Sequence, residues 1–464
     1  WHLAMSSEVV VRNRSVEMAL VLDNSGSMRD PPAGGGTVKM TTLKDATERL
    51  VEQLLAPRPL ANNVDPVKIS VVPFAGSVNV GTQYANASWM DTVGINPMHH
   101  DDVDWTTWQV AGRPQATQWQ DGSWRDPAGN PLTRFTLFNL MRAHRFNSIW
   151  AWGGCIASRP DGYAVTDAAP TSSRPATLFV PLFSPAEFWR GDYQSARNAY
   201  INDWVGPTAD NMANLRRQRD VTRYFAPGRI DTTAAGPNSL CTTSEITPLT
   251  ASRSTVLSAV RAMQPLGGTN IAEGLAWGWR TLSSGEPFTQ GRPRDTKENL
   301  KVLVLMTDGE NTYNPSLLNG PQIEFNNANR SAFGTYGFGQ SIHRKSGQHH
   351  ESLQTGRMFE ATPSVQARAA IANITESMNV AMSLVCENMK KDGSNDDGGD
   401  GVVVFTIAFD LKDGSPVKER LRNCASNGID GRGAKLYYDA RNSNDLLAAF
   451  SAISDEISAL RIAR

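Results

Sequence analysis

Apolar residues gather in short blocks that end at glycine, serine or proline, and between the blocks they recur at helical spacing. Val16–Leu22, Lys68–Phe74, Val302–Met306 and Val402–Phe409 are the blocks, short and apolar as strands buried on both faces are. Lys435–Tyr438 reads as an edge strand. Met40, Leu43, Leu50 and Leu54 mark a helix after the first block, which Pro57 and Pro59 close. Ser254–Met263 and Ile271–Leu282 are the next helical patterns, parted by Pro265 and Gly267-Gly268. Thr362-Pro363 reads as the cap and first turn of a helix whose stripe is Ile371, Ile374, Met378 and Val385. Leu446, Phe450, Ile453, Ile457 and Leu460 define the last helix. Strands alternating with helices predict an α/β fold, a mostly parallel central sheet flanked by helices.

Two stretches break the alternation. Residues 81–245 are far longer than a connection and carry Trp89, Trp105, Trp108, Trp119, Trp124, Trp150, Trp152, Trp189 and Trp204, nine of the chain's 12 tryptophans. That is too aromatic for a disordered linker, so a folded insertion is expected. The division that follows is 1–80, first part of the main domain; 81–245, insertion subdomain; 246–464, second part. Within the last, 312–361 is a polar loop insertion rich in Asn, Gly and Ser, expected over or beside the sheet's functional rim.

Composition narrows the field. The 464 residues carry a net charge of −1 with 40% hydrophobic content, which suits a sizeable core and gives bulk electrostatics no hold on nucleic acid or anionic membranes. No apolar run approaches the ~18 residues that read as a membrane span. The four cysteines form no C-x-x-C pair, so zinc and thioredoxin chemistry are poor readings. Of the three possible pairings, the favoured one joins Cys155 to Cys241, both in the insertion, and Cys386 to Cys424, both near the last strands. The alternative is four reduced thiols. An exported location would make such bridges stable.

The chemistry concentrates at strand ends. Asp23-Asn24-Ser25-Gly26-Ser27 follows the first strand directly, and Asp308 follows the run ending at Met306. Thr269 lies in Gly267-Gly268-Thr269-Asn270. Two serines, a threonine and two aspartates form an oxygen set suited to a hard divalent ion, which takes oxygen ligands and keeps some water. Neutral hydroxyls leave such an ion electrophilic, able to accept a carboxylate from a second molecule.

These residues resemble the von Willebrand factor type A domain with its metal-ion-dependent adhesion site. The Asp-x-Ser-x-Ser signature matches Asp23, Ser25 and Ser27, the family's threonine matches Thr269, and its later aspartate matches Asp308. The resemblance implies a Rossmann-like domain, direct coordination by the serines and threonine, and Mg²⁺, Mn²⁺ or Ca²⁺ as the ion. A narrower resemblance is to the TadG-like proteins of bacterial tight-adherence pilus systems. It is carried by Val21-Leu22-Asp23-Asn24-Ser25-Gly26-Ser27-Met28, Trp152-Gly153-Gly154-Cys155, Met306-Thr307-Asp308-Gly309-Glu310-Asn311, Cys386-Glu387-Asn388-Met389-Lys390, Phe405-Thr406-Ile407-Ala408-Phe409 and Leu460-Arg461-Ile462. It implies a non-enzymatic role in pilus assembly, anchoring or attachment. The location implied is the periplasm, outer membrane or surface of a bacterium. The expected partner is a protein of the pilus or envelope that offers a carboxylate to the metal. The chain opens on Trp1 and lacks the amino-terminal membrane segment typical of TadG-like proteins, so an anchor is expected in an absent preceding segment.

Other candidates have plainer readings. His99-His100-Asp101-Asp102-Val103-Asp104 holds metal-ligand types but reads as a solvated loop. Asp392–Asp400 has a calcium-loop composition without EF-hand spacing, and reads as a turn. The tryptophans could form a carbohydrate platform, although core packing is the simpler reading. His343, His349 and His350 read as surface residues. Ser25 and Ser27 lack a nucleophile elbow or a histidine base, and Gly267-Gly268-Thr269 lacks the P-loop lysine. A metal-assisted hydrolase would need Glu310 as its base.

Overall fold

The computed structural model describes residues 14–56, 67–145, 150–185, 211–228, 236–313, 333–343, 352–366, 371–393, 401–428 and 434–462. Six strands form the central sheet: β1 (Ser15–Asp23), β2 (Lys68–Phe74), β3 (Thr247–Thr250), β4 (Asn299–Thr307), β5 (Val403–Phe409) and β6 (Tyr437–Ala440). Their order is β6-β5-β4-β1-β2-β3, and every pair is parallel except β2 with the edge strand β3. The chain leaves β1 toward β2 and later returns to β4 on the other side of β1. The switch in strand order therefore falls between β1 and β4, where open α/β sheets place ligands beyond the carboxyl ends of their strands.

Eight helices are described: α1 (Lys39–Leu54), α2 (Arg134–Arg145), α3 (Asn211–Arg219), α4 (Arg253–Ala262), α5 (Ile271–Leu282), α6 (Ile371–Lys391), α7 (Pro416–Cys424) and α8 (Ser443–Ile462). Strand alternation sends the two faces of β1 into different cores. Val16, Met18, Leu20 and Leu22 pack with residues of α1, α4 and α8, whereas Ala19 and Val21 pack with α5, α6 and the 81–245 segment. Helix α5 lies especially close to the sheet. A methyl at Gly274 would meet Phe74 at 2.6 Å, and one at Gly278 would meet Val21 at 2.4 Å.

The described tryptophans of 81–245 are mostly core. Trp89, Trp105, Trp150 and Trp152 are buried in the same cluster as Val21, Trp277 and Leu303, with Trp108 and Trp124 packed against it. Trp119 is the exception among those described, half exposed with the Arg125 guanidinium over its ring. Trp189 and Trp204 lie outside the described residues, as do His349 and His350. The cysteines pair as Cys155–Cys241 and Cys386–Cys424, the second bridge joining α6 to α7.

Two sequence expectations are corrected. The His99–Asp104 stretch is not a solvated loop. His99 is fully buried, its ring accepting from the Arg134 amide at 3.1 Å, and Asp102 pairs with the buried Arg134 guanidinium at 3.1 Å. Asp101 pairs with Arg357, and Asp104 caps a short helical turn by accepting from the Thr106 amide. Local polarity misled because the partners, Arg134 and Arg357, come from distant segments. Thr362 likewise does not cap a helix. Its hydroxyl faces the Ser377 hydroxyl at 2.6 Å and donates to the Met358 carbonyl, and Thr362-Pro363 sits in a turn ahead of α6.

At the amino ends of the strands, Glu17 is wholly buried. It accepts from the Lys301 ammonium at 2.7 Å and from the Arg292 guanidinium at 2.9 Å and backbone amide at 3.0 Å. Buried charge is tolerated here because each carboxylate oxygen has a donor.

Candidate metal centre

Asp23 is the last residue of β1 and is fully buried. Its carboxylate accepts from the Ser25 amide at 2.8 Å and from the Thr307 hydroxyl at 2.6 Å, so the end of β4 clasps the end of β1. After Asp23 the chain turns into a short helical turn, Gly26–Arg29. That turn brings the Ser25 and Ser27 hydroxyls within 3.0 Å of each other. Ser27 donates to Asp308 Oδ1 at 2.7 Å, across 281 residues of sequence.

Thr269 reaches the same rim through a pinned loop. The Leu266 amide donates to Asn24, the Gly26 amide donates to Gly267, and the Asn270 amide donates to Ala75. Thr269 itself is held on both sides by Thr312: its amide donates to the Thr312 hydroxyl at 2.7 Å, and its carbonyl accepts from the Thr312 amide at 2.8 Å. Gly309 locates the Thr269 hydroxyl relative to the serines. A methyl placed on Gly309 would lie 3.2 Å from Thr269 Oγ1 and 3.7 Å from Ser27 Oγ. Asp23, Ser25, Ser27, Thr269 and Asp308 thus gather at one place on the carboxyl rim. Asp23, Ser25, Thr269 and Asp308 are buried while Ser27 is exposed, so the cluster opens to solvent on the Ser27 side.

Two further charged residues join them. The Lys39 ammonium, from the first turn of α1, lies 3.0 Å from Asp308 Oδ2 and 3.0 Å from Asp410 Oδ2. Asp410 directly follows β5 in a left-handed conformation (φ 54°), and its carboxylate also accepts from the Ala33 amide at 2.9 Å. Asp410 carries the same signal as Asp23 and Asp308, an acid just past a buried strand. Lys39 carries none, since a lysine opening an amphipathic helix reads as solvated.

Electrostatics favour a cation here. Burial, then the neighbouring Asp308 charge, pushes the Asp23 carboxyl up to about 7. Asp308 is also raised, chiefly by burial, with Lys39 opposing the rise. With all three carboxylates ionised against one ammonium, two negative charges remain, which a divalent ion would balance. Among the described residues no three His, Cys, Asp or Glu side chains converge as a ligand group. Hydroxyls would therefore supply much of the coordination, and a hard, oxygen-seeking ion fits that donor chemistry. Glu310 is exposed and accepts from the Ser415 hydroxyl at 2.8 Å.

No protein-family model matches the chain, and no curated protein matches it. Solved structures superpose loosely. The vWF domain of the type V pili tip protein Mfa5 from Porphyromonas gingivalis aligns at 11% identity and a TM-score of 0.36, covering 97% of each chain. The PilB minor pilin from Streptococcus sanguinis aligns at 12% identity and a TM-score of 0.34, covering 97% of this chain and 63% of its own. The pilus adhesin SpaC from Lactobacillus rhamnosus GG aligns at 11% identity and a TM-score of 0.35, with 96% of this chain matched to 30% of that one. At these values the functional reading rests on the site itself.

Proposed function

We propose that this chain is a non-enzymatic adhesion protein of the von Willebrand factor A type, which binds a partner's carboxylate through a divalent ion. One observation carries the reading: Asp23, Ser25, Ser27, Thr269 and Asp308, spread over 286 sequence positions, meet beside the switch in strand order. Ser25, Ser27 and Thr269 would hold Mg²⁺ or Mn²⁺ directly, and Asp23 and Asp308 would act directly or through water. When bound, the ion supplies an electrophilic position that a carboxylate can fill. The chain's own residues hold the hydroxyls in place through the Thr307–Asp23 and Thr312–Thr269 hydrogen bonds.

Export to the bacterial envelope, and a role in assembly, anchoring or attachment of a tight-adherence pilus, follow from the sequence resemblance. The two disulfides agree with an oxidising compartment. The hydrolase alternative is the weaker one, because its base candidate, Glu310, is engaged with Ser415. The glycan alternative lacks a platform among the described tryptophans, which are mostly core.

Calorimetric titration of chelator-stripped protein with Mn²⁺ tests the reading. One site is expected in the native chain and none in a folded Asp23→Ala, Ser25→Ala variant. Retention of the site in that variant rejects the assignment.

A further inference from the structure

We infer that Lys39 is a resident counter-cation of the metal centre, a positioning residue that fixes Asp308 and holds the affinity for the divalent ion down. The inference rests on the metal reading above. Lys39 opens α1, where the positive end of a helix disfavours an ammonium. Its side chain is only 10% exposed, so it is also largely desolvated. Neither location suits a lysine unless the carboxylates around it require one.

The contacts show what it does there. Lys39 takes Asp308 Oδ2 while Ser27 takes Asp308 Oδ1, so both oxygens of that carboxylate are engaged by this chain. Asp308 is thereby fixed in orientation before any ion arrives. Asp410 holds the ammonium from the other side at 3.0 Å, and the Ala33 amide in turn holds Asp410. Asp308 is thus shared between a tethered monovalent cation and the site of a divalent one. Like charges a few ångströms apart oppose each other, so the tethered charge weakens the ion while keeping the ion-free cluster assembled.

Opposite signs on affinity separate this role from ordinary structural support. Mn²⁺ titrations of the native chain and of Lys39→Met, Lys39→Arg and Asp410→Asn variants, with thermal melts of each without metal, form the test. Lys39→Met should bind Mn²⁺ about tenfold tighter and melt lower without the ion. Lys39→Arg, which keeps the charge, should stay within about threefold of native, and Asp410→Asn should bind about threefold weaker. A folded Lys39→Met variant that binds no tighter than native overturns the inference and leaves the metal site standing. Should Lys39→Met fail to fold, unchanged affinity in Asp410→Asn overturns it. No Mn²⁺ binding by the native chain sinks both this and the proposed function.

Discussion

Gly309→Ala probes the convergence of the site without replacing a ligand or a charge. The added methyl would stand 3.2 Å from Thr269 Oγ1 and 3.7 Å from Ser27 Oγ, between the hydroxyls proposed to coordinate. Thr269 cannot easily retreat, because Thr312 holds its amide and carbonyl and Ala75 holds the next amide. Gly309 does not use the left-handed region, so alanine meets no backbone penalty there. The metal-free protein should therefore change by less than ~1 kcal/mol in stability. Displacing one oxygen or water from the ion should weaken binding about tenfold, ~1.4 kcal/mol. The same loss appears in linkage. An ion at ~100 times its Kd stabilises the native state by ~2.7 kcal/mol, and at the same concentration a tenfold weaker site gives only ~1.4 kcal/mol. Urea unfolding with and without Mn²⁺, alongside calorimetry, measures both quantities. A Gly309→Ala variant with native affinity would refute the placement of Thr269 and Ser27 around one ion.

Three further outcomes are expected elsewhere in the molecule. Glu17→Ala strands the buried Lys301 ammonium and should cost ~3–5 kcal/mol in urea unfolding, of which adding Lys301→Met returns a large part; Mn²⁺ affinity should not move, since Glu17 lies at the far ends of the strands. The His100 ring is pushed down to about 4, chiefly by burial and then by His99. Its stabilising effect is complete above the unfolded value near 6.5 and is lost as pH falls toward 4, because the unfolded chain takes up a proton the native state refuses. His100→Phe should flatten that part of the stability–pH profile by ~2–3 kcal/mol, and an unaltered profile would count against the burial argument. Replacing Cys386 and Cys424 by alanine removes the α6–α7 bridge, which closes a loop of 38 residues, and should cost ~2–4 kcal/mol by thermal unfolding in non-reducing buffer.

The sheet was legible because its strands are buried on both faces and therefore read as unbroken apolar runs. Lys68–Phe74 was placed to the residue and Val402–Phe409 to within one. β3 was not legible: four residues, Thr-Pro-Leu-Thr, form an antiparallel edge whose identity comes only from pairing with β2. Helix α7 was also missed, since its nine residues are too short for periodicity to stand out. At the rim, acids that end strands were readable and Asp410 could have been found by the same rule. Glu17, Lys39, His99 and Asp102 were opaque for a common reason. Each is a charged or polar residue buried by a partner far away in sequence, and a local window prices such residues as exposed.

Helix α5 has every one of its 12 residues buried, because α6 and the 81–245 segment together cover the side that a surface helix would show to water. Thr269 stands two residues before its first turn, so this hydroxyl is anchored to a rod wedged between two layers. Sliding α5 along its axis would shear the tryptophan packing above it and drag Gly274 and Gly278 across Phe74 and Val21. The position of the Thr269 hydroxyl is therefore set by packing on both sides of α5 and not by its own loop alone.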